Sequence, residues 1–396
     1  MEIWIIVQLM SLNNKEIMKK VFAFLLLLPG ASFFVQAQTN VVKTTIIVNN
    51  SSDIERVGEV LSINWATIIT KYPGIDTANF KVLDAATKKE IPFQLEHKGE
   101  VAIQNLLVQI NVKPKGNAKL LIVAGKPAAI TKKTYGRYVP ERYDDFAWEN
   151  DKVANRMYGK ALETRKDNAF GIDIWVKRSS KLVINDWYKT GDYHTDHGDG
   201  MDYYSVGLTL GAGDIAPYVN DSVYYSKNYH NWKVLDNGPL RTSFQLGYDE
   251  WDVAGKPVKV VKTISLDAGS HFNRIQADYT YSDGADLPAV IGIVKRAEPG
   301  VILMDEKQGI MGYWEPEHGA DGITGVATII PGGKVKMNTD KVHLLTHTLV
   351  KGKEPVVYYN GSAWSKGNEI TTANEWFKHL DTFSQKLNQP LKVNVQ

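Results

Sequence analysis

The sequence predicts an all-β protein: a small amino-terminal β-sandwich, then a large antiparallel β-supersandwich, with one helix at the carboxy terminus. Three observations carry this. From residue 41 onward, short apolar-rich runs are separated by turn formers at intervals that suit antiparallel strands. A helical apolar period is strong only near the end, over 372–388. And 396 residues with 43% hydrophobic content and no cysteine must be held by burial rather than by disulfides.

Residues 1–37 read as a secretory signal. Met18-Lys19-Lys20 gives a positive start, VFAFLLLL (21–28) a short apolar core, and Val35-Gln36-Ala37 small residues before the cleavage point. Met18 is then the initiator and Gln38 the new terminus; an uncleaved anchor is the rival reading. Residues 38–130 carry TTIIVNN, EVLSINW, FKVLD, IPFQLE, LLVQINV and KLLIVAG, the pattern of a small sandwich. Thr131-Lys132-Lys133 reads as a linker. Residues 131–396 hold FGIDIWVKR, YYSVGLTLGAG, RTSFQLGY, VKVVKTISL, FNRIQADYTY, AVIGIVK, GVATIIP and HLLTHTLV, too many strands for an immunoglobulin-like domain. By analogy they suit the supersandwich of mutarotase-like and polysaccharide-lyase folds. In the final segment Trp376, Phe377, Leu380, Phe383 and Leu387 fall on one helical face.

Net charge is +2 with both signs interspersed, which gives no electrostatic case for nucleic acid. A lipobox would need a cysteine, and there is none. The expected location is periplasmic or secreted, with no stable membrane anchor after signal cleavage.

Three segments become specific: PERYDDFAWENDKVANRMYG (140–159), GIDIWVKRSSKLVINDWY (171–188) and YHTDHGDGMDYYSVGLTLGAG (193–213). Together and in this order they resemble the bacterial secreted family known as DUF4861. The resemblance implies a link to the degradation of pectin and other uronate-containing glycans, and it carries no catalytic residues over.

The site is therefore read from chemistry. YHTDHGDGMDYY (193–204) gathers two histidines, three aspartates and three tyrosines, with glycines that let a loop turn inward. His194, His197, Tyr203 and Tyr204 are candidates to move a proton near neutral pH. A uronate C5 proton leaves next to a carboxylate, so its removal builds negative charge that a cation must balance. Arg137, Arg142 and Arg156 could supply it. Glu141, Trp148, Glu149 and Asp199 complete a binding set in which an aromatic ring packs on a sugar and charged groups fix hydroxyls. Each stretch also has a plain reading: a polar loop bonded to backbone or water, and a linker laced with surface ion pairs. Trp175 and Trp187 read as strand residues packed in the core.

No cofactor is certain. A divalent metal on His194, His197 and Asp199 is an option that would need a distant further ligand. The leading expectation is an enzyme that abstracts a proton from a uronate-containing oligosaccharide, as a lyase or isomerase. The alternatives are a glycan-binding protein without catalysis, or a hydrolase using two carboxylates such as Glu149 and Asp199. His318, in GYWEPEHGADG, could complete the site from across the fold.

Overall fold

A computed structural model describes residues 42–282 and 284–396. The signal-peptide reading of residues 1–37 lies outside the described residues. Among those described, no helix is long and apolar enough to cross a membrane.

The chain is built of antiparallel sheets, as expected. The first two form a small sandwich. A four-stranded sheet runs in the order Lys392–Val395, Val42–Asn49, Asn117–Ala124, Phe80–Asp84, and a three-stranded sheet in the order Arg56–Asn64, Asn105–Val112, Phe93–Glu96. Alternating residues from both, among them Ile46, Val48, Phe80, Phe93, Leu106, Val108 and Ile122, make one apolar cluster. The end of the chain belongs to this sandwich: Val395 pairs with Ile46, and Leu391 and Val395 join the cluster.

The main body faces an eight-stranded sheet with a five-stranded one. Strand-favouring residues alternate cleanly here. In Lys256–Asp267, Val258, Val260, Ile264 and Leu266 point into the core, and so does Lys262, whose ammonium bonds both Asp214 oxygens at 2.6 and 2.8 Å. The hairpin joining Arg241–Val253 to Lys256–Asp267 turns at Ala254-Gly255, both with positive φ, the geometry of a tight hairpin turn.

The third sheet of the body positions the site. Its strand order is Gly200–Met201, Asp173–Lys177, Ala154–Met157, Asp145–Asn150, Thr134–Val139. One face packs on the main core through Phe146, Trp148 and Ile174; the Phe146 and Phe244 rings lie 4.1 Å apart. The other face is covered by the short helix Ile184–Thr190 and by Tyr193. Trp175 is a buried strand residue, as expected. Trp187 sits instead on that helix, its ring 5.4 Å from Trp175; seven residues carry too little periodicity to mark a helix.

The carboxy-terminal helix, Ala373–Asn388, opens with a capping box between Thr372 and Glu375. It lies on the eight-stranded sheet with Trp376 and Leu380 fully buried and Phe377, Phe383 and Leu387 packed beside them, which is the predicted face.

Candidate functional site

The face of the third sheet beneath the Ile184–Thr190 helix and Tyr193 concentrates charge. Strand alternation puts Asp145, Ala147 and Glu149 on the same side, with Arg156 opposite Ala147 and Asp173 opposite Arg156. Asp202 arrives from the end of the 193–202 loop. Arg156 is thereby held among three carboxylates: Asp173 at 2.5 Å, Asp202 at 3.1 Å and Asp145 at 3.7 Å. All four side chains are buried. Trp175 and Tyr158 stack on the guanidinium, at 5.3 and 5.0 Å.

The loop that delivers Asp202 is stapled from inside. Asp196 accepts hydrogen bonds from the amides of Gly198 (2.8 Å) and Gly200 (3.1 Å), and it pairs with Arg178. Gly200 has φ +127°, and a Cβ there would lie 2.0 Å from the Val176 carbonyl, so only glycine lets the loop rejoin the sheet. The Asp202 amide then donates to the Tyr193 carbonyl at 2.7 Å, closing the segment.

Above the cluster, the Tyr193 ring stacks on Trp175 (5.1 Å), and its hydroxyl accepts from Arg142 Nε at 3.2 Å. His194 lies against Tyr193 and remains 66% exposed. Its Nδ1 is 2.8 Å from the Asp202 carbonyl. A carbonyl only accepts, so Nδ1 carries the proton and Nε2 is left as an acceptor.

A second charged group adjoins the first through Tyr204. The Arg296 guanidinium sits over the Tyr204 ring at 4.5 Å and bonds Glu315 at 2.7 Å. Tyr203 bonds Thr324 through its hydroxyl at 2.5 Å and stacks on His318 at 5.2 Å, so the His318 loop does reach this edge from across the fold.

Burial sets the proton affinities. It pushes Asp145 up to about 7, with Arg156 and Arg142 opposing the rise. It raises Asp202 likewise, helped by the charge of Asp173 and opposed by Arg156. Glu315 is pushed up to about 7 for the same reason, against the pull of Arg296. Tyr158, Tyr188 and Tyr204 are raised well above the usual phenol range by burial, so they are donors rather than bases. Polar atoms buried here without a hydrogen-bond partner in the protein include Asp145 Oδ1, Arg156 Nη1, Trp175 Nε1 and the Tyr204 hydroxyl. A polar guest or solvent at this point would satisfy them.

The predicted residues divide. His194, Arg142, Arg156 and Tyr204 come together around this cluster, whereas Tyr203 turns away to Thr324, His318 and Trp364. His197 faces outward and pairs with Asp192 at 2.9 Å. Asp199 pairs with Lys181 at 3.0 Å, and Arg137 with Glu141 at 2.6 Å and Asn185 at 2.8 Å, all near the surface. Trp148 needs correction as a sugar platform: strand parity turns it to the core, where its indole N–H donates to Asn273 at 2.7 Å. Glu149 needs the same correction. It is fully buried, bonded to Lys177 and to the amides of Val183 and Ile184, which removes the Glu149–Asp199 pair of the hydrolase alternative. The donors of His194, His197 and Asp199 are engaged in three separate directions, and no group of three or more His, Asp and Glu is arranged to hold a metal ion among the described residues.

A family model described as "Domain of unknown function (DUF4861)" matches residues 48–393. The chain belongs to the DUF4861 family. It is 34% identical over 374 residues to "Uncharacterized protein P7" of Formosa agariphila, across 89% of this chain and 93% of that protein. Among solved structures it is similar to a protein in the Glycosyl Hydrolase Family 38 from Enterococcus faecalis, with a TM-score of 0.50 at 9% identity over 89% of this chain. An alpha-mannosidase from Enterococcus faecalis V583 gives a TM-score of 0.47 at 8% identity. The chain spans about half the length of these two structures, 47% and 46%. The first likeness is one of fold.

In this DUF4861 chain the residues missed by sequence reasoning are Asp145, Asp173, Asp202, Tyr158, Arg296 and Glu315. A signal existed for Asp145, Asp173 and Tyr158. Period-two alternation in DDFAWEN, ANRMYG and GIDIWVK puts Asp145, Arg156, Tyr158 and Asp173 on one face and Phe146, Trp148 and Ile174 on the other. Nothing local in the sequence links Arg296 and Glu315 to them.

Proposed function

We propose that this chain is a carbohydrate-active enzyme that takes a proton from a uronate-containing oligosaccharide, with its centre at the Arg156 cluster. One juxtaposition carries the reading. A histidine fixed in one tautomer, His194, and an arginine with unspent donors, Arg142, both contact Tyr193, next to carboxylates that hold a proton near neutrality.

The roles follow from the geometry. Arg142 bonds only a phenol oxygen and has no carboxylate partner among the described residues, so it can receive the substrate carboxylate. Arg156 cannot, because its own three aspartates occupy it. His194 Nε2 accepts the C5 proton while Arg142 balances the charge that develops on the carboxylate. A protonated carboxyl of the cluster, Asp145 or Asp202, returns a proton to the departing oxygen, directly or through one water. The likeness of fold to a glycosyl hydrolase family 38 protein supports a carbohydrate substrate only as an analogy.

The test is incubation of the purified protein with galacturonate and glucuronate oligosaccharides. Elimination produces a double bond conjugated with the carboxylate, read by ultraviolet absorbance. An isomerase gives a new sugar without that signal. Turnover of neutral oligosaccharides alone, or of no oligosaccharide, overturns the reading.

A further inference from the structure

A cavity of about 250 Å³ lies away from the Arg156 cluster, where three parts of the chain meet. Its walls come from the bulged strand Arg56–Asn64, from the strands Lys256–Asp267, Phe272–Tyr281 and Val356–Trp364, and from the last turns of the carboxy-terminal helix. One wall is aromatic. Phe383 stacks on Phe272 at 4.0 Å, and Tyr359 stands edge-on to Phe383 at 5.4 Å.

The opposite side is charged, and its pairing leaves cations over. Glu59 is taken by Arg56 at 3.1 and 3.2 Å. Asp267 is taken by Arg241 through two bonds, at 2.5 and 2.8 Å. Lys386 has no ion-pair partner among the described residues, and its ammonium is held below its usual range by burial. Arg274 has only neutral partners, Gln276 at 3.5 Å and the Tyr359 hydroxyl. Two unneutralised cations and one aromatic wall therefore share a space smaller than the roughly 300–1,000 Å³ that drug-sized ligands occupy.

We infer that this cavity binds a single sugar ring carrying one carboxylate. The ring face lies on the aromatic wall and the carboxylate meets Lys386 and Arg274. The volume admits one ring and not a chain. The two cations require an anion, and the aromatic wall requires a ligand with an apolar face, which a bare inorganic anion lacks. This site is separate from the Arg156 cluster and does not depend on its being catalytic.

Calorimetry of the whole chain with glucuronate tests it, with glucose and acetate as controls. Glucuronate is expected to bind, and glucose and acetate at least tenfold more weakly. Lys386→Ala and Arg274→Gln should each weaken glucuronate about tenfold or more, the loss of one hydrogen bond to a charged group. Phe383→Leu should weaken it less. Circular dichroism would verify that each variant is folded, and Lys386, partly exposed on the helix, is the safer of the two. His197→Ala, exposed on the outer loop and outside both this cavity and the Arg156 cluster, should leave this binding unchanged. The inference is overturned if glucuronate does not bind, if acetate binds as well as glucuronate, or if Arg142→Gln abolishes binding while Lys386→Ala spares it. The last result would assign the affinity to the other site. Absence of turnover with intact glucuronate binding would count against the proposed enzyme and not against this cavity.

Discussion

Two buried ion clusters lie side by side on one sheet face and are built to different rules. The Lys177–Glu149 pair is complete. The three donors of Lys177 go to Glu149 (2.8 Å), the Asn150 carbonyl (2.7 Å) and the Lys181 carbonyl (2.5 Å), while Glu149 also accepts two amides that start the Ile184–Thr190 helix. One charge meets one charge. The Arg156 cluster sets three carboxylates against Arg156 and the nearby Arg142, and leaves Asp145 Oδ1 and Arg156 Nη1 without hydrogen bonds. Low dielectric makes such a surplus of negative charge costly, so a carboxyl there keeps its proton. Burial alone does not mark a working site. The proposed site rests instead on an unbalanced charge with an open edge at His194 and Arg142.

The largest expected difference between the two is in turnover. Asp202→Asn or His194→Gln should lower turnover of an accepted substrate by roughly 10²–10⁴-fold, the usual worth of a proton-transfer group, with the fold retained. Changes in the Lys177 pair should act on turnover only through the folded fraction. If His194→Gln leaves turnover intact, the proton passes elsewhere.

Stability should sort the same clusters in reverse. Lys177→Met strands Glu149 without its cation in the core, and breaking a buried pair of this kind costs about 3–5 kcal/mol. Urea unfolding should register it as a lower midpoint with an unchanged slope. Asp202→Asn removes surplus negative charge and should cost far less. Equal losses for the two would mean that the Arg156 cluster is as much a structural staple as its neighbour.

Much of the fold could be read from the sequence because burial and strand alternation are local. The terminal helix declared itself through Trp376, Leu380 and Phe383, and the strands through their period-two runs. The site was legible in part. Local density picked out the 193–204 segment, and that segment does carry His194 and Asp202 to the cluster. It also picked out His197 and Asp199, because density in sequence says nothing about which way a loop residue faces. Trp148 and Glu149 were misassigned through composition, when the parity of their strand already turned the tryptophan inward. Arg296 and Glu315 were out of reach, since only the pairing of distant strands brings them to Tyr204.

The pH dependence gives a smaller difference. Asp145 is raised to about 7, so between the ordinary carboxylate range and that value the native state binds a proton that the unfolded state gives up. Its contribution to stability is complete below about pH 4 and is lost as pH rises through about 7, with a ceiling near 1.4 kcal/mol per pH unit for one proton. Glu315, also about 7, adds in the same direction, so the informative quantity is the difference between wild type and Asp145→Asn. Glu369, held down to about 2 by His271 and Lys152, titrates below this window. Stability should fall less steeply from pH 5 to pH 8 in Asp145→Asn than in the wild type. Parallel curves would mean that Asp145 is ionised throughout.

The smallest effect is expected at His197, although it lies three residues from His194 in the same loop. Its ring is exposed, and its one partner is the carboxylate of Asp192, itself exposed. Exposed pairs of this kind contribute about 0–1 kcal/mol. The loop does not rely on it, because Asp196 makes the internal bonds to Gly198 and Gly200 and Asp202 closes the end. His197→Ala should therefore shift the urea midpoint barely at all and leave turnover within about twofold, against the 10²–10⁴-fold expected for His194→Gln. A large loss of turnover in His197→Ala with a normal unfolding curve would show that the exposed side of the loop meets the substrate, and the division between the charged cluster and the outer loop would have to be redrawn.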